Sequence, residues 1–403
     1  MAAPKLRFKE FDGDWSLITL NQLSTKIGDG IHATPKYDES GTIPFINGNN
    51  LVNGRIAINE NTKRISSEEF QKYNQILSDR TLFLSINGTI GNLAFYKNEK
   101  VLLGKSVCFI NLKNGLDKKF IYLLLQSPQL TKTLNSELTG TTIKNLSLAT
   151  VRNSEFYCPI EAEQTKIASF LSNVDEKISQ LTQKHALLSQ YKQGMMQKLF
   201  SQQLRFKADD GSEFGEWEDK PLNEIASKRS GKNKDGSISE VLTNSATQGI
   251  IKQSDYFERE IVTESNLNGY YIVNLDDFVY NPRISVHAPV GPIKRNKKCL
   301  GVMSPLYTVF TVSEGNLAYL EYFFDSNFWH DYVKGVANSG ARHDRMNITN
   351  KDFFDMPIFY PCLAEQTKIA NFLSSIDQKI EVVAQQIEQA KTWKKGLLQQ
   401  MFV

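Results

Sequence analysis

Lysine, arginine and asparagine gathered in short polar runs, several of them beside glycine, are the residues of this chain with the most suggestive chemistry. The second half carries Lys228-Arg229-Ser230-Gly231-Lys232-Asn233-Lys234, then Lys294-Arg295-Asn296-Lys297-Lys298, then Arg342-His343-Asp344-Arg345 with Asn347 close behind. The first half has softer counterparts: Asn47-Gly48-Asn49-Asn50, Lys63-Arg64, Lys105-Ser106 and Thr141-Thr142-Ile143-Lys144-Asn145. Cationic side chains near turns suit phosphate oxygens. Arg, Asn and Gln also offer the paired groups that match guanine and adenine edges. Any one such cluster is more often a solvated loop, so the weight falls on how the clusters are arranged.

Catalytic motifs do not survive inspection. Gly104-Lys105-Ser106 ends like a phosphate-binding loop, but the motif needs a glycine where Glu99 stands. Asn281-Pro282-Arg283-Ile284 resembles the box of amino-methyltransferases only faintly, because Arg283 replaces its second proline and no glycine-rich cofactor turn accompanies it. Asp209 and Asp210 with Glu218-Asp219-Lys220 loosely match a nuclease carboxylate–lysine set, yet lie in a polar loop. The five histidines are scattered, and the four cysteines (Cys108, Cys158, Cys299, Cys362) form no CxxC pair. Neither a zinc site nor a disulfide framework is expected, and a reducing compartment fits.

The elements that would position the basic clusters come in two copies. EQTKIASFLSNVDEKI begins at Glu163 and EQTKIANFLSSIDQKI begins at Glu365, and over the 38 residues from each start 17 positions are identical. Openings repeat as well: Leu6-Arg7-Phe8-Lys9 returns as Leu204-Arg205-Phe206-Lys207, and Trp15 returns as Trp217. In 403 residues this makes a duplicated half-molecule and not a solenoid. Four residues are inserted in the loop 209–216 of the second copy. With 40% hydrophobic and 11% aromatic residues, each half can bury a core. The net charge of +3 neither demands nor excludes nucleic acid. No run of about 18 apolar residues occurs, which predicts a soluble, cytoplasmic chain without a membrane partner.

The runs 43–46, 81–86, 107–110, 270–273 and 306–311 are β-branched or aromatic and bounded by turn residues, and they read as strands. Residues 120–125 and 317–324 read as helices, so each half is expected to be an α+β globule. The segments after Pro159 and Pro361 are clearer. Ile178, Leu181 and Leu188 belong to an apolar seam stepping by three and four, matched by Ile380, Val383 and Ile387 in the second copy. Two matched stripes predict that the helices pair with each other. Lys192 and Lys394 would be polar seam positions that set register. Ser172-x-x-Asp175 and Ser374-x-x-Asp377 read as capping boxes starting each long helix, after a shorter lead-in helix. The expected division is a globule over 1–160, a helical spacer over 161–203, a second globule over 204–360 and a second spacer over 361–403.

The chain resembles a specificity subunit of a type I restriction-modification system. The resemblance is carried by the two EQxKIAxFLxxxDxKI helices and by the openings Leu6-Arg7-Phe8 and Leu204-Arg205-Phe206. It extends through Ile43-Pro44-Phe45-Ile46-Asn47-Gly48, Gly88-Thr89-Ile90-Gly91, Ala288-Pro289-Val290-Gly291 and Ser304-Pro305-Leu306-Tyr307. It implies two target-recognition domains, each reading half of an asymmetric double-stranded DNA target, with the helices forming an antiparallel coiled coil that sets the unread spacer. About 30 helical residues span roughly 45 Å, enough to bridge one DNA turn of roughly 34 Å. The resemblance further implies a non-catalytic chain without its own cofactor. S-adenosylmethionine, ATP and Mg would belong to two methyltransferase (modification) subunits and to translocase/endonuclease (restriction) subunits. The residues expected at DNA are Asn47, Asn49, Lys105, Thr141, Thr142, Lys144 and Asn145 in the first module. In the second they are Lys228, Arg229, Arg283, Arg342, His343, Arg345 and Asn347. Two other readings remain at this point: a stand-alone nuclease with two sites, and a protein-binding scaffold.

Overall fold

The structure, a computed structural model, describes residues 3–73, 75–138, 144–256, 264–338 and 344–403. It falls into two units, Met1–Gln183 with Ala384–Val403, and Lys184–Val383. Helices Glu161–Phe200 and Leu363–Met401 each contribute to both units.

In the first unit, Val107–Leu112 is buried at all six positions and accordingly lies inside a sheet. The order is Ser24–Asp29, Val107–Leu112, Thr81–Asn87, Thr89–Phe95, antiparallel throughout. Ser16–Thr19 pairs separately with Glu155–Cys158, and Ile43–Ile46 joins Arg64–Ile65 and Leu102–Leu103 in a small mixed sheet. Helix Lys118–Leu124 starts where Asp117 accepts the free N–H groups of Lys119 and Phe120. Its Phe120 packs in one core with Trp15, Ile110, Leu171, Leu398 and Phe402.

The second unit repeats this plan. Ala226–Lys228, Thr308–Val312, Phe278–Tyr280 and Ile293–Arg295 form the sheet in that order, and Glu218–Pro221 pairs with Pro357–Tyr360. Asn316 caps helix Leu317–Asp325 as Asp117 does its counterpart. Strand Thr308–Val312 starts two residues later than its apolar run suggests, because Tyr307 N–H closes a turn on Ser304 O at 3.0 Å.

The repeated motif is a structural clamp. Arg7 donates from Nε and Nη2 to the buried Glu163 carboxylate, both at 2.7 Å. Arg205 does the same to buried Glu365, at 3.1 and 2.8 Å. Each carboxylate holds its arginine charged, raising the guanidinium pKa chiefly through that hydrogen bond while burial opposes it. The adjacent Gln164 and Gln366 donate to Pro159 O and Pro361 O, and accept from the N–H of Asp117 and Asn316. Phe8 meets Phe170 edge-on at 5.8 Å, and Phe206 meets Phe372 likewise at 5.6 Å. The shared final phenylalanine closes a core: Phe402 lies 5.4 Å from Phe120, and Phe200 lies 5.6 Å from Tyr319.

The expected capping boxes are not caps. Ser172, Asp175, Ser374 and Asp377 all lie inside continuous helices, where backbone N–H groups already bond within the helix and need no cap. The expected lead-in segments 163–170 and 365–372 are the first turns of those same continuous helices. The two aspartates meet the seam lysines instead: Lys394 Nζ is 2.6 Å from Asp175, and Lys192 Nζ is 2.7 Å from Asp377. In each unit, then, an early stretch of one long helix faces a late stretch of the other, which is antiparallel pairing. Of the seam residues, Leu181, Val383 and Ile387 are buried, while Ile178, Leu188 and Ile380 are half-buried.

Reversing one charge, as Lys192→Asp, should cost stability, and the exchange Lys192→Asp with Asp377→Lys should recover it. A double-mutant cycle in urea should read about 0.5–1 kcal/mol of coupling, the range for partly exposed pairs. A cycle reading zero would remove the register role. The thiols allow a second check. Burial pushes the Cys158 thiol up to about 12 and the wholly buried Cys108 thiol well up, whereas Cys362 is exposed. Disulfide-exchange reagent at pH 8 should label Cys362 in the folded protein, and Cys108 and Cys158 only after denaturation.

Candidate nucleic-acid interface

In both units the segment leading toward the long helix is stitched to the backbone at or just past the end of a sheet strand by the same two backbone bonds. In the first unit, Leu146 N–H donates to Ile86 O at 2.8 Å and Gly88 N–H to Lys144 O at 3.1 Å. In the second, Met346 N–H donates to Pro282 O and Ile284 N–H to Asp344 O, both at 2.9 Å. Asn87 therefore faces Asn145, and Arg283 faces Arg345, across equivalent antiparallel bridges.

The side chains on this common frame differ. Asn87 Nδ2 donates to Asn145 Oδ1 at 3.1 Å, and Lys144 beside them is exposed. Gly88 (φ +73°) and Gly91 (φ +88°) bracket a tight turn there, in a backbone region that disfavours side chains. In the second unit Arg283 is exposed and Arg345 half-buried, with its Nε 3.8 Å from Asp344. Asn347 is exposed, and its carbonyl accepts from Asn338 N–H at 2.9 Å. Like charges directly opposite on paired strands are destabilising. Two guanidinium groups kept in that position suit an anionic ligand.

Other expected residues sit elsewhere. Asn49 and Lys105 are exposed, Lys105 in the turn before Val107–Leu112. No helix follows Gly104-Lys105-Ser106, so this is no phosphate loop. Asn47 is half-buried; its Oδ1 accepts from Ser106 Oγ at 3.0 Å and its N–H donates to Asn50. Lys228 is exposed and donates to Asn350 Oδ1 at 3.0 Å. Arg229 is half-buried, with Nε 2.7 Å from the buried Asp277 carboxylate. Thr141, Thr142, Arg342 and His343 lie outside the described residues. The basic run 294–298 is largely neutralised, Lys294 by Asp325, Arg295 by Asp276 and Lys297 by Glu321.

Asn87 escaped the sequence reading. Its signal was available in the Asn-Gly pair ending an apolar strand run, but only the bridge shows that Asn145 lies across from it. Among the described residues, no group of three or more His, Cys, Asp or Glu is placed to hold a metal ion, and no helix is long and apolar enough to cross a membrane.

The type I restriction modification DNA specificity domain matches residues 12–190 and again residues 215–392. The chain belongs to that family. Each match takes in one sheet, one stitched junction and most of one long helix. Specificity subunits of this kind recognise DNA and are not catalytic. A protein assigned as the MjaX type I restriction enzyme specificity subunit of Methanocaldococcus jannaschii is 27% identical, the alignment covering 98% of this chain and 94% of the relative. The MjaVIII specificity subunit of the same organism is 25% identical over 97% of this chain and 94% of its own length. The crystal structure of the type I restriction-modification S subunit of M. genitalium shares the fold, with a TM-score of 0.55, 17% identity, and 100% and 99% of the two chains covered.

Proposed function

We propose that this specificity subunit reads an asymmetric, bipartite DNA target, one half-site per unit, and directs adenine methylation or cleavage by partner subunits. The observation that carries this is the junction built twice on the same backbone bonds with different side chains. One copy presents Asn87, Lys144 and Asn145; the other presents Arg283, Arg345 and Asn347. A common frame with unlike readers is what two different half-sites require, since base edges are distinguished by donor and acceptor pattern.

The remaining chemistry is assigned to partners. Two modification subunits would supply S-adenosylmethionine and methyl transfer, and restriction subunits would supply ATP- and Mg-dependent translocation and cleavage. The paired helices would set the number of unread base pairs between half-sites, and the complex would work in the cytoplasm.

Selection from a randomised duplex pool, with the chain bound to its methyltransferase subunits at moderate salt, tests this directly. Two short motifs at one fixed spacing are expected. Affinity should also fall steeply with salt, as counterions displaced from phosphates return. A pool with no enrichment and no salt dependence would instead fit a protein-binding scaffold.

A further inference from the structure

The two units part company right beside the stitched junction. Gly88 and Ile284 are equivalent by their backbone bonds, and Gly91 and Gly291 correspond again, both with positive φ. Two residues separate the first pair, whereas six separate the second. The extra residues build a closed turn at 285–288. Ser285 N–H donates to Ala288 O at 3.0 Å, and Ala288 N–H donates to Ser285 O and to Ser285 Oγ, both at 3.1 Å.

The base of this turn is anchored. Val290 is fully buried, Tyr280 Oη donates to its carbonyl at 2.9 Å, and a Cβ at Gly291 would collide with the Asn281 carbonyl. The tip is the opposite. Val286 is 96% exposed, while the next most exposed large hydrophobic residue among those described, Ile160, is 68% exposed. Holding an isopropyl group in water on a closed turn contributes nothing to folding, which leaves its apolar surface available to a partner. That partner is anionic, because Arg283 and Arg345 stand at the turn's foot. The DNA major groove admits a two-stranded ribbon, and its apolar feature is the thymine methyl group.

We propose that the turn 285–288 enters the major groove of the second half-site and that Val286 reads the 5-methyl group of a thymine there. This rests on the chain being a two-site DNA reader, and the test separates the two ideas. Once a target has been selected, each thymine is replaced singly by deoxyuridine, which removes only the methyl group, and binding of the full chain with its partner subunits is measured. One replacement in the second half-site should weaken binding about fourfold, the equivalent of one buried methyl at about 0.8 kcal/mol. Val286→Ala should bind thymine DNA with the same loss and no longer distinguish deoxyuridine at that position. Replacements in the first half-site should behave alike for both proteins.

The thymine contact is overturned if the second half-site contains no thymine, if no replacement matters, or if Val286→Ala keeps the discrimination. It is also overturned if Val286→Ala weakens binding to every sequence equally, which would mark a non-specific contact. A selected target lacking any second half-site would overturn the two-site reading itself. Because Val286 is solvated, a folding defect is not expected, and the unchanged first half-site reports that control.

Discussion

Glu365→Ala is expected to destabilise the second unit by about 3–5 kcal/mol, the cost of leaving a largely buried charge without its partner. Glu365 is fully buried and accepts three N–H groups: Nε and Nη2 of Arg205 at 3.1 and 2.8 Å, and Nε1 of Trp217 at 2.9 Å. Truncation leaves an arginine only 20% exposed without its counter-ion, held only by backbone carbonyls such as Gly215 O, together with an indole N–H that has lost its acceptor. Against a total of roughly 5–15 kcal/mol for a domain, such a loss brings the unit close to unfolding. The double change Arg205→Met with Glu365→Leu should recover much of it, because replacing both partners removes the unpaired charge. Hydrogen exchange read segment by segment would show protection lost across 204–380. A change of less than about 1 kcal/mol in urea would mean that the clamp is not structural. Glu163→Ala should be milder. Its carboxylate accepts only the two Arg7 bonds, and the buried Trp15 Nε1 has no hydrogen-bond partner in this structure.

Arg283→Ala is expected to leave the fold intact and to relax one position of the second half-site, by about 1–3 kcal/mol or roughly 5- to 150-fold. The side chain is exposed and its backbone bridge to Arg345 does not depend on the guanidinium. Sequence selection with the variant should return the first half-site unchanged and a degenerate base in the second. A uniform loss over all sequences, with a smaller salt slope, would make Arg283 a phosphate contact and defeat the base-reading role. Arg229→Ala makes an informative contrast. It removes the partner of buried Asp277, so its effect should appear in stability first, although in sequence it looks as basic and as available as Arg283.

How far these residues could be read in advance depended on whether their partners are near or far along the chain. The strand runs 43–46 and 107–110 and the helix near 120 show themselves through local spacing, and the structure has them within a residue or two. Lys192 and Lys394 were legible as polar members of an apolar seam. Asp175 and Asp377 look like caps in sequence, because Ser-x-x-Asp is a local pattern, whereas their partners lie 185 or more residues away. Asn47 and Arg229 look free in sequence for the same reason: nothing local announces Ser106 or Asp277.

Duplication, the helical seam, the family resemblance and the division into two similar halves are legible in the residues alone, since identical residues at one offset and a 3.5-residue period survive without any knowledge of contacts. Which cations are spent on internal carboxylates, as Arg229 is on Asp277, and which stay exposed at the stitched junctions, as Lys144 and Arg283 do, follows from the fold. Charge is visible in a residue's name, but its neutralisation is a property of whichever acid the fold brings within about 3 Å.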